Sequence, residues 1–245
     1  MNLNRAQDIW NILITNENSC DWDKKIGYEW FIDCYADLND ESRQEIFKKQ
    51  ILTLQPTKLT IRGYECFKLY FIRVNEHDGK IQVKNDLDNF IVEKLDLLGL
   101  NFLWDIILYV RTETIANLAT NFLLEILFEK VSLKLRREIV HLHQKFINEC
   151  YARLGRCLVT LENSSIGQML IDAYQIACTT TGMAALACAP TASKTEVMKC
   201  IERVLMVAER FVTGPDTFYG TILIDLYNFK FVILILIWHF AVLRF

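Results

Sequence analysis

An all-α chain, arranged as an α-solenoid of antiparallel helical hairpins of armadillo or HEAT character, is what the sequence predicts on three observations. The 245 residues are 52% hydrophobic, enough to fill a sizeable core. Three prolines and nine glycines are too few for the many reversals of an all-β protein. Apolar residues recur at helical spacing along most of the chain, and the breaks between them are short.

The first helical patterns run over Leu3 to Ile14, Lys24 to Leu38, Glu41 to Leu54 and Leu59 to Val74, broken at Asn39-Asp40 and at Gln55-Pro56. A longer connection follows from Asn75 to Asn85, with His77-Asp78-Gly79-Lys80 and then Ile81-Gln-Val83, read as a small hairpin or a loop at a contact surface. It is also the candidate boundary, near 75–85, between two helical sub-blocks. Further helices are predicted over Leu87 to Leu98 and Phe102 to Val110, with Gly99 between them.

The clearest helix spans Thr112 to about Glu129, where Ile115, Leu118, Ala119, Phe122, Leu123, Ile126 and Leu127 share one face. Thr112 is its cap and Glu113 complements the dipole. Leu135 to Leu161 and Ile166 to Cys178 follow, and the small, uncharged stretch Cys178 to Ala189 reads as a loop, with a close-packed helix as the alternative. Glu196 to Val212 is strongly amphipathic, with Ser193 and Glu196 at capping-box spacing and Gly214-Pro215 as its stop. Links this short set neighbouring helices antiparallel, and pairs that bury a face only against the next pair build a solenoid. No clean fixed-period repeat is visible, so a compact helical bundle is the alternative architecture.

A net charge of -3 with both signs dispersed leaves no basic stripe, so nucleic acid is not an implied partner. Eight cysteines spread through helical segments, without a secretory or transit signal at the N-terminus, read as reduced thiols in a cytoplasmic protein.

Candidate chemistry is sparse. His141 and His143 lie two apart, which on a helix points them to nearly opposite faces, so they read as one partly buried and one solvated histidine rather than metal ligands. Cys150 and Cys157, seven apart, share a helix face as small core residues. Asp37 and Asp40, and Asp86 and Asp88, read as residues that start or end helices. Gly155, Gly167 and Thr181-Gly182 form no phosphate loop. Trp10, Trp22, Trp30 and Trp104 are expected to pack in the core, though on a groove the same rings would anchor a peptide. No catalytic, cofactor-binding or metal-binding residue is assigned.

Gly99-Leu-Asn-Phe-Leu-Trp104, then Ile115-Ala-Asn117, Leu124-Glu-Ile126 and Phe146-Ile-Asn-Glu-Cys-Tyr-Ala-Arg-Leu154 occur in an order that resembles a known family. With Arg62-Gly-Tyr-Glu-Cys-Phe-Lys-Leu-Tyr-Phe71, ending in Val74-Asn75, and the helix from Glu196 to Phe211, the likeness covers most of residues 1–219. The family is the armadillo-like region of the very large ubiquitin-specific proteases, the fat facets type. The resemblance implies a segment that positions substrates or partners for a cysteine deubiquitinase domain located elsewhere. That family's catalytic cysteine follows Asn-Thr in a Gly-rich segment and its histidine is Gly-flanked. Nothing around the eight cysteines or four histidines matches either, so no catalytic residue is carried over.

After Phe218-Tyr-Gly220 the likeness stops, and residues 220–245 form an apolar tail that reads as the product of an alternative transcript or a gene-model read-through. Phe231 to Leu243 is 13 residues without Asp, Glu, Lys or Arg. As a helix it spans roughly 20 Å, short of the ~30 Å hydrocarbon core. The expected function is a non-catalytic scaffold for protein partners, among them ubiquitin-pathway substrates or adaptors. The alternative is a membrane-tethered helical protein held by residues 231–243.

Overall fold

A computed structural model of the chain describes residues 3–159 and 194–213. The predicted helix over Ile166 to Cys178, the loop to Ala189, the Ser193 cap, the Gly214-Pro215 stop and the apolar tail lie outside the described residues. The chain packs as two compact units, Met1–Arg137 and Glu138–Phe245. As predicted, the architecture is all-α and armadillo-like, with one small departure in the first unit.

That unit begins with α1 (Leu3–Trp10), which widens into a π-helical turn at Asn11–Thr15. Ala6, Trp10 and Ile14, four residues apart, form its buried stripe. The Trp10 ring meets Tyr28 and Phe31 of α2 (Asp21–Asp33) edge-on, at centroid distances of 6.0 and 5.0 Å. Cys20 and Asp23 cap α2 reciprocally: the Cys20 amide donates to the Asp23 carboxylate at 2.9 Å while the thiol accepts from the Asp23 amide.

Three helices then form an armadillo-type layer. α3 (Asp40–Lys49) is capped by the Asn39 side chain, which accepts from the Ser42 amide at 2.9 Å; its acids sit at the start and Lys48 and Lys49 at the end, matching the dipole. α4 (Ile61–His77) is capped by Thr60, whose hydroxyl accepts from the Gly63 amide at 3.1 Å. A Cβ at Gly63 would lie 2.9 Å from Tyr28 Cζ, and the Tyr35 and Tyr70 rings meet at 4.9 Å, so α2 and α4 run parallel and close. His77 beside Asp40 at 3.5 Å and Phe67 stacked on Phe47 at 6.1 Å set α3 antiparallel to α4. The core is the aromatic column Tyr64, Phe67, Tyr70 and Phe71 of α4, each no more than 4% exposed.

The predicted helix over Leu87 to Leu98 does not form. Phe90–Val92 is strand β2, paired antiparallel with β1 (Ile81–Val83), and Val92 bridges on to Val131. A short Phe-Ile-Val run is readable either way by pattern, and here a partner strand close in sequence takes it. Asp86 and Asp88 therefore sit in a hairpin turn, where the Asp88 amide donates to the Asp86 carboxylate at 3.0 Å, rather than at a helix end. Asp40 does lie in the first turn of α3, and Asp37 closes a 3-10 turn after α2.

The Asn75 to Asn85 connection, inside the first unit, folds into this hairpin, and the hairpin is held down. Lys68 of α4 bonds Asp88 at 2.8 Å, and the Lys130 ammonium lies over the Phe90 ring at 4.5 Å. Asn75, fully buried, donates to the carbonyls of Phe71 at 2.8 Å and Leu98 at 3.0 Å and accepts from the Leu98 amide at 2.8 Å. Gly99 follows with φ 93°, opening α5 (Leu100–Tyr109), and a Cβ there would lie 2.8 Å from Phe47.

α5 and α6 (Glu113–Leu124) make an antiparallel hairpin across the three-residue link 110–112. Thr112 holds the N-cap position as predicted, but its side chain makes no capping bond. Ile115, Ala119, Phe122, Leu123 and Ile126 are buried as predicted, whereas Leu118 is 41% exposed because the buried stripe runs through Ala116 instead. α7 (Leu133–Arg136) closes the unit.

In the second unit, α8 (Ile139–Val159) packs against α9 (Lys194–Thr213). Ile201, Val204, Leu205, Ala208 and Phe211 form the buried stripe that the periodicity predicts. His141 is exposed while His143 is buried edge-on to Phe211 at 4.9 Å, the expected division of that pair. Arg153, 6% exposed, is neutralised by Glu149 at 2.8 Å.

Candidate protein-interaction surfaces

Of the four tryptophans predicted as core, Trp10 and Trp104 are buried and Trp30 is half-buried, but Trp22 is 63% exposed. The local sequence carries the reason: Trp22 stands between Asp21 and Asp23 and before Lys24-Lys25, in the first turn of α2, where one helix face meets solvent. Charged neighbours on both sides are the signal that distinguishes it from Trp10.

Trp22 has company. Ile26, one turn later on α2, is 42% exposed, and Ile61, the first residue of α4, is 43% exposed. The next residue, Arg62, reaches Glu29 of α2 at 3.2 Å, which places the start of α4 alongside this stretch of α2. The Lys25 ammonium lies 5.0 Å from the Trp22 ring centre, and Arg62 also pairs with Glu65 at 2.6 Å. An aromatic ring and two aliphatic side chains are thus rimmed by Lys25, Glu29, Arg62 and Glu65, the anatomy of a docking surface with an apolar centre and a charged border.

Two concavities lie in the same unit. A cleft of about 560 Å³ opens between the π-helical turn, α2 and the link from α3 to α4. Ile14, Tyr28 and Leu59 are its buried apolar floor, with Lys24, Lys58, Asn16 and Gln55 at the edge. Burial pushes the Tyr28 phenol above its ordinary range, so that ring is a neutral wall. A second hollow, about 410 Å³, is lined by Tyr35, Asp40, Arg43, Arg73, Glu76 and His77. Its charges are matched among themselves: Arg43 bonds Asp40 at 2.8 Å, donates to the Tyr35 and Ala36 carbonyls at 3.0 Å each and stacks on Tyr35 at 4.5 Å, while Arg73 bonds Glu76 at 2.8 Å. This network ties α3 and α4 to the turn after α2.

Chemistry that breaks bonds needs an activated group, and three of the described cysteines point the other way. Burial holds the Cys34, Cys66 and Cys150 thiols above their ordinary range, the opposite of a nucleophile poised as thiolate. His77 meets Asp40, but no nucleophile lines their hollow. Among the described residues no group of three or more His, Cys, Asp or Glu could hold a metal ion. Nor is any described helix long and apolar enough to cross a membrane.

Residues 1–75 match the family described as the UBP24/USP9X/USP9Y ARM repeat. Over 217 residues, 89% of this chain, the sequence is 31% identical to ubiquitin carboxyl-terminal hydrolase 24 of Homo sapiens. The chain is a relative of the armadillo-repeat region of the large ubiquitin-specific proteases. Ubiquitin carboxyl-terminal hydrolase 9Y of Mus musculus is 30% identical over 162 residues, 65% of the chain. The probable ubiquitin carboxyl-terminal hydrolase FAF of Drosophila melanogaster is 29% identical over 153 residues, 61% of the chain. The chain spans 8%, 6% and 5% of the lengths of these three hydrolases, respectively. Within the ARM-repeat match fall α1 to α3, nearly all of α4, and the whole Trp22, Ile26 and Ile61 surface.

Proposed function

We propose that the chain is a non-catalytic helical-repeat scaffold that binds protein partners in the ubiquitin pathway, substrates or adaptors of a deubiquitinase, in the cytoplasm. The observation that carries this reading is Trp22 standing 63% exposed within the ARM-repeat match, beside exposed Ile26 and Ile61. A tryptophan left in water has no reason in the chain's own core. Buried by a partner, it supplies a large contact area at low side-chain entropy cost, which is why such rings dominate binding energies.

The test compares the full chain with a Trp22→Ala/Ile26→Ser variant, both immobilised and presented with cell extract. Far-UV circular dichroism verifies that the fold is retained. The expected outcome is a set of ubiquitin-pathway proteins retained by the wild-type chain and lost from the variant, with no hydrolysis of a ubiquitin–fluorophore conjugate by either. Equal retention on both chains would remove the role of this surface. Hydrolysis abolished by mutating one cysteine would overturn the scaffold reading.

A further inference from the structure

The register of α8 on α9 is set by aromatic contacts. Phe146 and Phe211 meet at 4.9 Å between ring centroids, and His143 meets the same Phe211 ring edge-on. Eleven residues further along α8 stands Cys157, and eleven residues back along α9 stands Cys200. Eleven residues is about three turns at ~3.6 residues per turn, so in an antiparallel pair both side chains return to the contact face that carries the phenylalanines. Cys157 is 8% exposed and Cys200 5%, and the two thiols share a side-chain hydrogen bond. Cys150 lies on the same face of α8, two turns closer to Phe146, and by this register it stands opposite Val207 rather than a cysteine.

We propose that Cys157 and Cys200 are an oxidative modification site, at which a hydroperoxide converts the facing thiols into a disulfide that staples α8 to α9. With hydrogen peroxide, one thiol loses its proton and its sulfur attacks a peroxide oxygen. An S–O bond forms, the O–O bond breaks, and the departing hydroxide takes up the proton as water. The second thiol then attacks the sulfenic sulfur, forming the S–S bond, breaking the S–O bond and releasing a second water. Each sulfur gives up one electron and the two peroxide oxygens take them, so two thiols and one peroxide yield one disulfide and two waters.

The shared proton and burial hold the Cys157 thiol above its ordinary range, so the pair reacts slowly until the helices part slightly. Exposed Cys20 is oxidised first. Once α8 and α9 open, the partner sulfur is already in place. The sulfenic acid is captured by its neighbour before a further peroxide can over-oxidise it, and the staple then resists reopening of the pair.

The experiment treats the full-length chain with hydrogen peroxide, quenches with acid, alkylates under denaturing conditions and maps unreduced peptides by mass spectrometry. The expected result is a peptide joining Cys157 to Cys200, lighter by two hydrogens and released by dithiothreitol, with loss of most alkylatable Cys157 and Cys200. In Cys200→Ser the linked peptide disappears and Cys157 becomes trappable by a sulfenic-acid reagent. Cys157 and Cys200 both still alkylated after Cys20 has oxidised, or Cys157 joined mainly to Cys150, would overturn the proposal. The mapping is decisive on the wild-type chain alone, so a variant that folds poorly does not blunt it.

Discussion

Asn75 is a fully buried amide; of its three hydrogen bonds the two to Leu98 pin the segment before Gly99 to the last turns of α4. Asn75→Ala removes the partner of both the amide and the carbonyl of Leu98. Orphaned groups in a partly buried site cost about 1–3 kcal/mol each, and Leu98 is only half-buried, so the expected loss is about 2–4 kcal/mol. Asn75→Asp keeps the size and can still accept from the Leu98 amide, but it turns carboxylate oxygens toward the carbonyls of Phe71 and Leu98. A protonated aspartic acid can donate once, which raises the folded-state pKa of the new carboxyl. A raised value gives stability that is present below the unfolded pKa, about 3.9, and is lost as pH rises through the folded one. Asn75→Asp is therefore nearest to wild type in acid and worse than Asn75→Ala at neutral pH. Urea unfolding followed by tryptophan fluorescence between about pH 4 and 8 measures this, with hydrogen exchange at the Leu98 amide as the local readout. A loss below about 0.5 kcal/mol for Asn75→Ala, or an Asn75→Asp deficit that does not grow with pH, would refute the clasp.

Gly99→Ala places a Cβ at φ 93° and 2.8 Å from Phe47 Cζ, two independent faults. The left-handed conformation costs about 1–2 kcal/mol and displacement of a packed ring about 1–3 more, so the unfolding midpoint should fall by an amount that Gly63→Ala, strained only by contact, does not reach. Burial lowers the His143 pKa, so its neutral form is preferred in the folded state. The stabilisation is present above the unfolded value of about 6.5 and is lost as pH falls through the folded one; thermal unfolding against pH should show this loss, and His143→Gln should flatten it.

What the sequence by itself determined are the features set within one or two helical turns. The faces of α6 and α9 and the breaks at Asn39-Asp40 and Gly99 are local, because helix periodicity and end chemistry are properties of neighbouring residues. The order of such motifs was also enough to place the chain beside the large ubiquitin-specific proteases. Tertiary structure decided the rest. Phe90-Ile-Val92 carries no helix or strand preference strong enough to choose alone, and its pairing with Ile81-Gln-Val83 settles the matter. Asn75 looks like any polar residue in the last turns of a helix until Leu98, 23 residues on, is folded against it. Trp22 has the chemistry of a core residue; its charged neighbours mark a solvent-facing first turn, and the packing of α2 leaves that face uncovered. Cys157 and Cys200 are two unremarkable small residues in sequence, and the antiparallel register of their helices makes them a pair. Contacts between distant residues depend on which faces meet, and that is fixed by packing the whole unit at once.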